Sequence, residues 1–65
     1  MKVRELLKLL DQDGWYIDRR RGSHRQLRHA TKPGTVTVSG HASDTVHPKT
    51  LKSVFRQAGL EDQQT

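Results

Sequence analysis

The sequence predicts an α+β fold, a two-layer sandwich of two helices on a three-stranded antiparallel sheet. Two observations predict it. Apolar residues repeat at offsets of 0, 3, 4 and 7 near each end of the 65-residue chain, which is the stripe of an amphipathic helix. Between those stripes, apolar and polar residues alternate in short runs separated by glycine turns, the pattern of half-buried strands joined by hairpins.

The first helix covers about residues 2–13. Val3, Leu6, Leu7 and Leu10 carry its stripe and Leu9 broadens it. Asp13-Gly14 ends it, because glycine fits the left-handed position that follows a helix. A strand then runs from Trp15 to about Arg20, with Trp15 and Ile17 directed to the core and Tyr16 and Asp18 away from it. Gly22-Ser23 makes a tight turn into a second strand, about His24 to Ala30. Its two faces differ by parity: Arg25, Leu27 and His29 on one, His24, Gln26 and Arg28 on the other. Leu27 is the one strongly apolar member, so its side faces the core and His24 faces solvent.

Lys32-Pro33-Gly34 reads as a type II turn. A third strand covers Thr35 to Ser39, with Val36 and Val38 inward. A loop from Gly40 to about Val46 leads to the last helix, Pro48 to Ala58. His47 precedes a proline, is pushed out of helical geometry and suits the N-cap. Pro48 suits the first helical turn, where no N–H is needed. Leu51, Val54, Phe55 and Ala58 form the second stripe; Gly59 closes the helix and Leu60 folds back on it. Residues 1–60 thus form one domain, and Glu61 to Thr65 read as a polar tail.

Composition narrows the function. Twelve Lys and Arg against seven Asp and Glu give a net charge of +5, which points to a polyanionic partner. Six of the cations (Arg19, Arg20, Arg21, Arg25, Arg28 and Lys32) lie between positions 19 and 32 with no acid among them. Nucleic acid outranks membrane, since no basic helix carries a wide apolar face. The absence of cysteine removes thiolate catalysis and cysteine-based zinc sites, and fits a reducing cytoplasm. No apolar run approaches the roughly 20 residues a membrane span requires, and no signal peptide is evident.

Several chemistries are excluded by what is missing. The scattered acids form no carboxylate pair for a glycosidase or a two-metal nuclease. Ser23 beside His24 is no serine triad, since adjacent strand residues point to opposite faces. No phosphate loop or dinucleotide fingerprint occurs. The four histidines (24, 29, 41 and 47) lack zinc-site spacing, so no metal or cofactor is expected. What remains is a histidine in a cationic field, which suffices for RNA cleavage. The ribose 2′-OH is a nucleophile already tethered beside the phosphorus. An imidazole can move the protons, and arginines can hold the non-bridging oxygens. The plainer reading of His24 is a surface histidine that contacts phosphate, and composition by itself favours it. Tyr16 is a candidate for base stacking, whereas Trp15 reads as core.

The segment Gly22-Ser23-His24 changes that balance. The chain resembles the HicA family of toxin–antitoxin systems through Leu6-Leu7-x-Leu9-Leu10-x-x-x-Gly14-Trp15, Gly22-Ser23-His24, Val36-Thr37-Val38 followed by His41, and the closing stretch from Lys49 to Leu60. The resemblance covers nearly the whole chain. It implies a fold like a double-stranded-RNA-binding domain. It also implies a metal-independent endoribonuclease that cleaves mRNA, blocks translation and is neutralised by a HicB-type antitoxin. The family's essential histidine falls on His24. The RNA-holding residues expected around it are Arg19, Arg21, Ser23, Arg25, Arg28 and Lys32. A non-catalytic RNA-binding module and a domain that meets an acidic protein partner are the alternatives.

Overall fold

The computed structural model describes residues 1–60, so the tail from Glu61 onward lies outside it. The element order is α1 (Val3–Asp13), β1 (Trp15–Arg21), β2 (His24–His29), β3 (Val36–Val38) and α2 (Pro48–Ala58). This is the helix, three strands, helix order that the sequence predicts. The sheet is antiparallel with β2 in the centre, β1 on one edge and β3 on the other. Both helices lie on one face of it, and the other face is open.

The core fills the space between the layers. Val3, Leu6 and Leu10 come from α1, Val54, Phe55 and Ala58 from α2, and Trp15, Leu27, Val36 and Val38 from the sheet; Leu60 closes one end. Gly14 and Gly59 both take left-handed conformations (φ +105° and +71°). After α2, the N–H groups of Gly59 and Leu60 donate to the carbonyls of Arg56 and Phe55, which satisfies two carbonyls the helix leaves open. His47 caps the start of α2, its Nδ1 accepting from the Lys49 N–H at 3.1 Å, with Pro48 in the first turn. Gly34 has φ +86°, as the third residue of a type II turn requires. The loop from Gly40 to Val46 is fixed by α1: the first two helical N–H groups, of Val3 and Arg4, donate to the carbonyls of Asp44 and Ala42.

The structure corrects the expected elements in three places. β3 is shorter than Thr35 to Ser39, pairing only at Val36, Thr37 and Val38. β2 stops at His29, one residue before Ala30. The third correction matters most: Ile17 is 49% exposed and is not core. Its side is as expected, because it pairs directly with buried Leu27. However, α1 does not close over it: a groove remains between the helix, at Arg4, Leu7, Lys8 and Asp11, and the sheet, at Trp15, Ile17 and Leu27. The register also shifts between Ile17 and Arg19, leaving Asp18 as the extra residue of a β-bulge.

Candidate nucleic-acid interface

The open face of the sheet can be read from strand register, because directly opposed residues in an antiparallel pair share a face. At the hairpin end, His24 stands opposite Arg21. In the middle, Gln26 stands between Arg19 on β1 and Thr37 on β3. Farther along, Arg28 stands opposite Tyr16. All seven are exposed. The result is a surface with a guanidinium in each of its three rows, an amide and a hydroxyl in the middle one, and an imidazole beside the guanidinium at the hairpin end. Tyr16, at 51% exposure, offers a ring on this face.

The turn that presents His24 is built from Gly22 and Ser23. Gly22 has φ +58°, and no heavy atom lies within 4 Å of the place a Cβ would occupy. A glycine with positive φ at the first turn position matches the right-handed twist of the two strands. It also leaves the space over the turn open.

Two of the expected RNA-holding residues are employed elsewhere. Arg25 is only 7% exposed, on the opposite side of the sheet from His24. Its Nη1 donates to the carbonyls of Ser23 (3.3 Å) and Gly40 (3.0 Å). The physical reason is parity: Arg25 shares a face with Leu27, and its guanidinium escapes burial cost by bonding two carbonyls at the sheet's end. Lys32 lies beyond the open face, between the C-termini of both helices. Its Nζ pairs with the Asp13 carboxylate at 2.5 Å and donates to the Ala58 carbonyl at 3.0 Å. Ser23 is half-buried, and its carbonyl accepts from both Arg25 and the Gly40 N–H. Arg19, Arg21 and Arg28 remain on the open face with His24.

The four histidines divide into two kinds. His29 is structural. Its Nε2 donates to the Asp13 carbonyl at 2.6 Å, and its Nδ1 accepts from the Thr31 and Lys32 N–H groups at 3.0 and 3.1 Å. Its ring meets Trp15 edge-on at 5.2 Å between centroids. Sequence reasoning had no signal for this hub beyond the shared parity of His29 and Leu27. His47 is the helix cap already described. By contrast, the imidazoles of His24 and His41 are exposed and make no hydrogen bond or ion pair among the described residues. Gly40 N–H donates to the Ser23 carbonyl at 3.2 Å, which ties the loop that carries His41 to the turn that carries His24. Arg25 reinforces this tie by bonding both carbonyls.

Among the described residues, no three His, Cys, Asp or Glu side chains converge as a metal site would require. No helix among them is long and apolar enough to cross a membrane. A family model described as the HicA toxin of bacterial toxin–antitoxin matches residues 3–60, which spans every element described above. A search of curated proteins gave no match.

Proposed function

The chain belongs to the HicA toxin family of bacterial toxin–antitoxin systems, and from that premise we propose that it is a metal-independent endoribonuclease that cleaves mRNA, with His24 as its catalytic residue and a HicB-type antitoxin as its inhibitor. One observation carries this reading. An imidazole with no structural duty stands on the open sheet face beside Arg21, with Arg19 and Arg28 on the same surface.

RNA lies across the open face with its phosphates on Arg19, Arg21 and Arg28. His24 takes the proton from a ribose 2′-OH. The 2′-oxygen attacks the adjacent phosphorus, the P–O5′ bond breaks, and the departing 5′-oxygen receives a proton. His41 is the candidate donor for that second transfer, as the other exposed imidazole without a hydrogen bond among the described residues, on the loop that Gly40 ties to Ser23. Charge on the non-bridging oxygens grows in the transition state, and a fixed guanidinium stabilises it more strongly there than in the ground state.

The products then carry a 2′,3′-cyclic phosphate and a 5′-hydroxyl. A single 2′-deoxy substitution at the cleaved nucleotide is expected to abolish cleavage there and to leave RNA affinity near its original value. EDTA is expected to change nothing. Cleavage that survives the 2′-deoxy substitution, or that disappears with EDTA, contradicts this mechanism. RNA that binds but stays whole after long incubation identifies a binding module instead.

A further inference from the structure

The outer edge of β1 is a large feature that the proposed cleavage does not use. β1 is an edge strand, so on either side of the bulge at Asp18 alternate backbone N–H and C=O groups point away from the sheet without a partner strand. No backbone hydrogen bond from elsewhere among the described residues covers it. Beneath this edge, between β1 and α1, runs a groove lined by apolar Leu7, Trp15, Ile17 and Leu27, with two cations, Arg4 and Lys8, against one acid, Asp11. Ile17, half exposed, is the apolar residue that α1 leaves uncovered. Above the edge stand Arg19 and Arg21 on the open face; below it stands Arg20, opposite Arg25.

We infer that this edge is a docking site for an extended acidic segment of the antitoxin, which adds a fourth strand beside β1. The inference rests on the antitoxin partnership and not on RNA cleavage. An added strand would direct its side chains alternately to the two faces of the sheet. On the helix side, an apolar side chain would fill the groove over Ile17 and Leu7, with a carboxylate reaching Arg20. On the open side, carboxylates would meet Arg19 and Arg21, the cations that hold RNA beside His24. Charge selects the occupant. A second copy of this chain brings another net +5 and another arginine triplet to the same edge. RNA has no strand backbone to complete the ladder. An acidic strand satisfies backbone, groove and charge together, and it excludes RNA from the neighbouring face.

The test uses the intact chain and its purified cognate antitoxin. Amide hydrogen exchange is compared for the free chain and the complex. The outward β1 amides are expected to become protected in the complex. Ile17→Glu and Arg20→Glu change exposed side chains outside the RNA-holding set. Each is expected to weaken antitoxin binding about tenfold or more, and to leave RNA cleavage within about twofold. Several results would overturn the inference: β1 amides that exchange equally fast in both states, variants that weaken RNA binding but not antitoxin binding, or a dimer of this chain held by the same edge. A chain that cleaves no RNA yet shows β1 protection defeats the nuclease reading and leaves the docking site standing.

Discussion

Replacing His24 with alanine is expected to lower the RNA cleavage rate by about 10²–10⁴-fold, the usual contribution of a positioned acid or base. Folding and RNA affinity are expected to hold. The side chain is exposed, bonds nothing among the described residues and supports no packing, so its removal leaves no cavity and no orphaned partner. RNA affinity depends on phosphate contacts, and Arg19, Arg21 and Arg28 are untouched by the change. His29→Ala gives the opposite pattern: it removes the acceptor for two backbone N–H groups and the edge contact to Trp15. It is expected to lower the melting temperature and to affect cleavage only through the folded fraction. Single-turnover cleavage and thermal denaturation on both variants separate these outcomes. Full activity in a pure His24→Ala protein would remove that imidazole from the mechanism.

Gly14→Ala is expected to be the most destabilising single-methyl change in the chain. Gly14 has φ +105°, and a Cβ there would lie 2.7 Å from His29 Nε2. The left-handed backbone alone costs a non-glycine residue about 1–2 kcal/mol. The contact adds to this, because the ring cannot retreat without breaking its bond to Asp13 and leaving the Thr31 and Lys32 N–H groups unpaired. Those losses amount to about 2 kcal/mol. Gly34→Ala is the control, since Gly34 has φ +86° and nothing within 4 Å of its Cβ position. Gly14→Ala should therefore melt about 10 °C below Gly34→Ala in a domain this small. Adding His29→Ala to Gly14→Ala should cost less than the sum of the two changes, because the clash disappears with the ring. Equal melting of the two glycine variants would show that the His29 contact is not rigid. A 65-residue domain has a total stability of roughly 3–10 kcal/mol, so the effect matters for function too.

Local rules made much of the fold readable. The offsets of Val3, Leu6 and Leu10, the proline after His47, and the glycines at 14 and 59 each act within one turn of chain. The structure carries them out as expected. Parity on β2 was equally local, and it put His24 on the open face and Leu27 in the core. What could not be read depended on distant partners. Alternation states which side Ile17 is on, but not that a groove between α1 and β1 leaves it half exposed. Charge clustering treats Arg25 and Arg28 alike. The position of the Gly40 carbonyl, which no local rule supplies, is what makes Arg25 a buried fastening. Lys32 likewise needed the ends of α1 and α2 to meet beside it. The parity that freed His24 already placed Arg25 on the wrong side for RNA, so that correction was available from the residues.

The central claim is that RNA binds the open sheet face with the reactive phosphodiester at His24. Titrating isotope-labelled protein with an RNA made uncleavable by 2′-O-methylation, and following its resonances, tests this directly. The His24 imidazole and the signals of Tyr16, Arg19, Arg21, Gln26, Arg28 and Thr37 are expected to shift together. The exposed faces of α1 and α2 should stay unchanged. Shifts concentrated on the helices, with the His24 ring unmoved at saturation, would contradict it.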